Sequence, residues 1–250
     1  DRKVLIPKLD SGISKLSRLL LDQGITAKEI KLGEIVYLEH VIRPDTLSGV
    51  DWFLFTSRHG VESFWKDLER CGLDIRSVAG ARFAALGENT AKCLRRHGIQ
   101  ADLVPCCASG EALAQQLSRK VNKCQKVCYV KARCTDPALR RILEPCCQYE
   151  EMEVYENQPV EAPAFDPLCW KDFEGICFTC ASLAERFAAL CGEQWGKWAE
   201  EQIFYSIGPK TTERLEVLGA VKIIQAEETS MEALVQRILW RTEDSNEWKI

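Results

Sequence analysis

Four short stretches of the 250-residue chain set hydroxyls and small residues where an anion could be held. They are Thr56-Ser57, Gly87-Glu88-Asn89-Thr90, Thr179-Cys180-Ala181-Ser182 and Gly208-Pro209-Lys210-Thr211. Each follows a short apolar run and opens a helix-like pattern. Each therefore places side-chain hydroxyls beside the unpaired backbone N–H groups of a helix start. Such a set can hold carboxylates without a cluster of cations. A second role fits the same residues: Thr90, Ser182 and Thr211 have the chemistry to cap their own helices.

Cysteine is the other conspicuous chemistry, with 13 in the chain. Cys177 and Cys180 form a CxxC, Cys106-Cys107 and Cys146-Cys147 are doublets, and Cys124 and Cys128 are four apart. A zinc knuckle needs its CxxC on a tight turn with a second ligand pair nearby. GICFTC instead reads as a buried strand that sends Cys177 and Cys180 to opposite faces. The cysteines are thus expected to be small buried hydrophobes kept as reduced thiols. His40, His59 and His97 fall in no ligand spacing, and His97, ahead of Gly98, reads as the end of a helix. No metal site is expected. GxSxG, GxxxxGK[ST], HExxH and GxGxxG are absent, so hydrolase, P-loop, zincin and dinucleotide readings find no support.

The elements that must position these residues follow from an internal repeat. FAALGENTAKCLRRHG (83–98) lies over FYSIGPKTTERLEVLG (204–219), matching Phe83 to Phe204, Gly87 to Gly208, Thr90 to Thr211 and Gly98 to Gly219. The register continues without a gap to Glu111-Ala112-Leu113 over Glu232-Ala233-Leu234. DWFLFTSRHGVESF (51–64) lies over FEGICFTCASLAERF (173–187), and KVLIPKLDSGISKLSRLL (3–20) over KVCYVKARCTDPALRRIL (126–143). The middle of the chain holds one full set. The other set is split, one part at the N-terminus and two at the C-terminus.

The order predicts two similar domains, one inserted in the other: 1–32 plus 161–250, and 42–150. Linker strands at 33–41 and 151–160 would join them as a two-stranded antiparallel ribbon acting as a hinge. Within each unit an apolar run, a turn and an amphipathic stretch alternate, with Gly72 as a helix stop and Pro209 in a first helical turn. The fold class is therefore α/β, each domain a parallel sheet flanked by helices on both faces. Ligands of such sheets gather at the carboxyl ends of the strands, which is where the four stretches fall. A cleft shared by both domains is the expected site.

Composition agrees with a packed protein: 46% hydrophobic and 28% charged residues suffice for an ordinary core. No apolar run approaches the roughly 20 residues of a membrane span. Thirty-three basic against 37 acidic residues, a net charge of −4, argue against nucleic-acid binding. DRKVLIPKL lacks a signal-peptide core, so the expected location is cytoplasmic.

The ordered set DWFLFTSRHGV, ALGENTAKCL, ASGEALAQQL, EVYENQPV, ICFTCAS, SIGPKTTERL and TSMEALVQRI resembles uroporphyrinogen-III synthase, from about Lys3 to Ile238. The resemblance implies a cofactor-free, monomeric lyase of tetrapyrrole biosynthesis. Its substrate would be hydroxymethylbilane, a linear tetrapyrrole with eight carboxylates. The reaction expels the terminal hydroxyl and closes the ring with inversion of the last pyrrole, through an azafulvene and a spiro intermediate. Catalysis would be chiefly proximity and orientation.

By this resemblance Tyr155, in the VY motif, assists loss of the hydroxyl; as an alternative it anchors the hinge. Thr90 and Thr211 match the family's two helix-start threonines. Thr56, Ser57, Thr179 and Cys180 match its strand ends. With Gly87, Asn89, Ala181, Ser182, Gly208 and Lys210 they would receive substrate carboxylates. Lys8 stands near where many bacterial members carry an Arg, and Lys is the poorer bidentate partner. Cys180 replaces the usual Ser. The resemblance also suggests that the chain is the synthase half of a fusion with a uroporphyrinogen methyltransferase. The alternative is a hinged two-domain binder of a small polyanionic ligand without chemistry, over which a tyrosine at 155 in the crossing favours the enzyme; a third reading is a redox or metal sensor built on the 13 cysteines.

Overall fold

The computed structural model describes residues 2–9, 12–39, 42–107, 109–135, 137–160 and 165–240. His40, the end of the expected first linker and the start of the 161–250 segment lie outside them. In chain order the elements are β1 (Lys3–Lys8), α1 (Lys15–Leu21), β2 (Thr26–Lys31), β3 (Gly33–Tyr37), α2 (Pro44–Leu47), β4 (Val50–Phe55), α3 (Arg58–Arg70), β5 (Arg82–Ala85), α4 (Glu88–Arg96) and α5 (Gly110–Ser118). There follow β6 (Lys126–Ala132), α6 (Ala138–Leu143), β7 (Gln148–Pro159), β8 (Gly175–Phe178), α7 (Ala181–Cys191), α8 (Trp195–Glu201), β9 (Ile203–Ser206), α9 (Pro209–Val217), β10 (Lys222–Gln225) and α10 (Met231–Trp240).

The chain divides into two compact units, Asp1–Glu34 with Gln158–Ile250, and Ile35–Asn157. The first has a sheet ordered β10-β9-β8-β1-β2 and the second one ordered β3-β7-β6-β4-β5. The repeat explains the orders. Read from the other edge, the first sheet runs β2-β1-β8-β9, and the second runs β7-β6-β4-β5 in the corresponding places. Even the tenth strand has a remnant counterpart, a single parallel bridge from Ala84 to Leu103.

The two crossing segments are neighbours, with Leu38 N donating to Val154 O at 2.9 Å. They do not stand apart from the sheets. β7 runs parallel to β6 over Gln148–Tyr155, so both crossings complete the second sheet.

Each sheet carries helices on both faces because its strands are apolar on both sides. In the second unit Phe53, Phe55, Phe64 and Leu94 form one core layer, and Trp52, Leu54, Leu113, Leu117 and Leu143 the other. In the first unit Leu5, Phe178, Phe187, Trp198 and Leu215 pack on one side, and Val4, Ile6, Leu20, Leu234 and Ile238 on the other. Burying a large apolar side chain is worth about 1.5–3 kcal/mol, so these layers hold the strand ends in register. α3 stops where expected: Gly72 has φ +71° just past it, a left-handed position that Cβ would strain.

Candidate functional site

In the second unit β4 ends at Phe55, and the chain turns through Thr56 and Ser57 into α3. Ser57 caps the helix, its Oγ accepting from Gly60 N at 3.1 Å. Gly60 lies so close to β6 that an added Cβ would stand 3.2 Å from Val130 O. The same Ser57 Oγ is 2.7 Å from the phenol oxygen of Tyr155. A hydroxyl has one donor and two acceptor positions, so capping and the tyrosine bond coexist.

Tyr155 reaches this place through register. β7 pairs with β6 residue by residue, then slips by one between Lys131 and Ala132, setting Tyr155 opposite Ala132. Arg133 N donates to Tyr155 O at 2.8 Å beyond it. The His59 ring lies 5.8 Å from the Tyr155 ring, centroid to centroid. Burial pushes the Tyr155 phenol up from its usual value, and the Ser57 hydrogen bond offsets part of that. At neutral pH it is a phenol, able to donate.

A second tyrosine, absent from the sequence expectations, completes this strand end. Tyr129 Oη is 2.9 Å from Thr56 Oγ1. The residue is buried, and burial pushes its phenol up to about 12. Its only sequence signal is an aromatic in the apolar run KVCYVKA, which reads as plain core.

The β5 end lies beside that of β4, because Leu86 N donates to Phe55 O at 2.9 Å. Gly87 is the N-cap of α4 and supplies no side-chain cap. Asn89 and Thr90 are its second and third helical residues, Thr90 being buried. Thr90 therefore does not cap the helix, and the first N–H groups of α4 have no side-chain acceptor from the cap.

The first unit repeats this arrangement. Ile207 N donates to Phe178 O at 3.1 Å, setting the β9 end beside the β8 end. Gly208 caps α9 without a side chain, and Pro209, Lys210 and Thr211 follow, Thr211 buried. Thr211 and Thr90 thus hold one position in two copies, and neither is a cap. A Cβ on Gly208 would lie 2.9 Å from Thr229 Oγ1, so that exposed side chain would have to shift. Next to it Thr212 Oγ1 bonds Ser206 Oγ at 2.6 Å and Gln225 Oε1 at 2.7 Å, a network the repeat did not flag.

Cys180 departs from expectation. β8 ends at Phe178, Thr179 follows it, and Cys180 is the N-cap of α7 rather than a strand residue. Its Sγ lies 3.3 Å from Ser182 Oγ and makes no cap bond; Ala181 is the first helical residue. Ser182, the second, is likewise not the cap. Cys177 is buried in the opposite core layer, so the CxxC brings no pair of thiols together.

Charge is largely neutralised at these ends. Lys8, expected to meet a substrate carboxylate, forms an ion pair with Glu29 and donates to the Gly12 carbonyl. Burial disfavours the Glu29 carboxylate, but hydrogen bonds from Lys8, Ser14 and Ser17 outweigh it and hold its pKa at about 2. In the second unit Lys131 and Arg140 pair with Glu151 at 3.0 and 2.8 Å, and Arg133 pairs with Glu156 at 2.8 Å. Burial of Glu151 is likewise outweighed, by Arg140, Lys131 and Tyr149, giving about 2.

All 13 cysteines are free thiols. His97 lies one helical turn from Cys93, and Glu62 joins them. The four-residue spacing of Cys93 and His97 shows the first pair in the sequence, but only packing brings α3 to it.

Known proteins give this geometry its context. The family model described as uroporphyrinogen-III synthase HemD matches residues 14–236. The porphyrin biosynthesis protein HemD of Ruminiclostridium josui is 24% identical over 192 residues, covering 75% of this chain and 37% of that protein. The chain thus spans little more than a third of that curated relative. Among solved structures, a mutant uroporphyrinogen III synthase of Thermus thermophilus superposes with a TM-score of 0.65 at 17% identity, over 97% of this chain and 99% of that one. The uroporphyrinogen-III synthetase of Helicobacter pylori gives 0.66 at 19% identity, over 95% and 99%. At these identities the two structures speak for the fold. The family match runs from α1 into α10 and takes in every strand end described above except Lys8, and on it the chain belongs to the uroporphyrinogen-III synthase family.

Proposed function

We propose that the chain cyclises hydroxymethylbilane to uroporphyrinogen III, losing water and inverting the terminal pyrrole. The observation that carries the reading is the Tyr155–Ser57 hydrogen bond at 2.7 Å at the carboxyl end of a parallel sheet, in a member of this family. Tyr155 donates its phenolic proton to the departing hydroxyl; water leaves an azafulvenium cation and a phenolate, and transfer of the pyrrole N–H proton back to the phenolate gives the neutral azafulvene. At neutral pH the phenol is protonated and so available as a donor. Ser57 orients the phenol while capping α3.

The helix starts at Gly87–Thr90, Cys180–Ser182 and Gly208–Thr211 hold substrate carboxylates by N–H groups and hydroxyls. The lack of a side-chain cap at all three supports this assignment. Thr56 and Thr179 line the adjoining strand ends. Lys8 takes part only by exchanging Glu29 for a substrate carboxylate. A net charge of −4 is compatible with a polyanionic substrate on these terms.

The remaining expectations belong to the same reading: domain limits at 1–32 plus 161–250 and 42–150, a monomer, a cytoplasmic location and a preceding methyltransferase. The greater length of the curated relative favours the last. Among the described residues no helix is long and apolar enough to cross a membrane.

The test is turnover coupled to a deaminase from porphobilinogen, with the oxidised isomers separated. Type III product in excess over the spontaneous type I supports the reading; type I alone overturns it. Light scattering tests the monomer, and the full reading frame tests the fusion.

A further inference from the structure

Glu62 on α3, Cys93 on α4 and His97, the C-cap of α4, bring a carboxylate, a thiol and an imidazole to one point. The three ligand atoms lie within 4.8 Å of one another. Cys93 Sγ is 3.1 Å from Glu62 Oε1, and His97 Nε2 is 3.4 Å from Glu62 Oε2. A tetrahedral zinc, with bonds of about 2.3 Å to sulfur and about 2.0–2.2 Å to nitrogen or oxygen, separates its ligand atoms by about 3.4–3.6 Å. Small side-chain shifts reach that geometry.

The surroundings favour a ligand set over a chance cluster. Cys93 is 4% exposed, so its thiol cannot wander. The His97 ring is stacked on Trp65, centroids 4.8 Å apart and planes 27° apart, which restrains the plane of the imidazole. Burial and the Glu62 carboxylate favour the protonated thiol, while Arg58 and Arg96 act the other way. A cation would reverse the balance, since metal-bound thiols are deprotonated.

We propose that Glu62, Cys93 and His97 form a binding site for a thiophilic divalent cation of the zinc class, with solvent in the fourth position. Binding releases the Cys93 proton to solvent, forms metal–sulfur, metal–nitrogen and metal–oxygen bonds, and ties α3 to α4. The proposal is independent of the cyclase reading, since neither its residues nor its test involve substrate.

The experiment is titration of the reduced, full chain with Co²⁺ followed by displacement with Zn²⁺ against a chromophoric chelator. The expected result is one tetrahedral cobalt site with a thiolate-to-cobalt charge-transfer band. Cys93→Ser abolishes the band. Glu62→Gln and His97→Asn, on the partly exposed side of the cluster, weaken Zn²⁺ binding at least about 100-fold, more than loss of a supporting residue causes. Circular dichroism establishes that each variant is folded, and these two keep the test decisive if Cys93→Ser unfolds. Two results would overturn the proposal: no chelator-resistant metal in the wild type, or unchanged cobalt spectra and zinc affinity in Glu62→Gln and His97→Asn. The second would assign the metal to other cysteines.

Discussion

Replacing Tyr155 by Phe separates chemistry from architecture. The substitution keeps the ring, and with it the packing against the core layer of Phe55 and Phe64. It deletes one hydroxyl and one hydrogen bond, the 2.7 Å contact to Ser57. Ser57 Oγ still accepts from Gly60 N, so the cap of α3 survives. The net loss of one such bond is about 0.5–1.5 kcal/mol, a fall in Tm of roughly 1–6 °C for a chain of this size. A positioned proton donor is worth about 10²–10⁴ in rate, or roughly 3–5 kcal/mol of barrier. The variant should therefore melt close to the wild type while forming type III product at least about 100-fold more slowly. Ser57→Ala should behave in the opposite sense: it removes the cap, about 1 kcal/mol, as well as the tyrosine's partner, but leaves the phenol in place. Its melting temperature should fall further and its turnover less. The assays are thermal melting and the deaminase-coupled isomer separation. Wild-type turnover to type III by Tyr155→Phe would refute the role of the phenol.

Acid should unfold the protein through Glu29 and Glu151. Both are held at about 2 against an ordinary value of 4.5, so their stabilisation is complete above about 4.5 and fades as pH falls toward 2. Lys8→Met, which removes a partner of Glu29, should raise the pH midpoint of acid unfolding by circular dichroism; an unmoved midpoint would contradict the pairing. Gly175→Ala should destabilise the first unit by about 1–3 kcal/mol in chemical denaturation, because the new methyl meets Tyr205 Cε2 at 2.6 Å and Ile203 O at 3.0 Å. A neutral result would mean that the Tyr205 ring is free to move aside. Thiol labelling under native conditions should modify Cys106, Cys107, Cys124 and Cys134 first. Cys128 and Cys177, buried and with burial pushing their thiols upward, should react only on unfolding; fast labelling of either would place it outside the core.

The repeat makes the double sheet legible from the chain alone. Phe55-Thr56 over Phe178-Thr179, and Gly87 and Thr90 over Gly208 and Thr211, are residues with local duties: closing a strand or opening a helix. Local duties leave local patterns, which survive in both copies and mark the strand ends. Gly72 announces the end of α3 for the same reason, because a left-handed backbone position selects glycine whatever surrounds it.

Which groups meet across strands and helices is not legible there. Tyr155 meets Ser57 only because β7 slips one residue against β6, and a single slip turns every later side chain to the other face. Tyr129 meets Thr56 through two strands joined by more than seventy intervening residues, and its own neighbours in the chain read as ordinary core. Residue type suggests capping by Thr90 and Thr211, yet each helix is capped three residues earlier, at a glycine, and a boundary error of that size decides whether a hydroxyl caps or points elsewhere. Lys8 carries a positive charge in the chain and is neutralised by Glu29 in the fold. Composition, periodicity and repeat thus determine the elements and their order, since those depend on neighbours along the chain. The pairing of hydroxyls, the neutralising of charges and the meeting of Glu62 with Cys93 and His97 depend on distances through space, and these exist only once sheets and helices have packed.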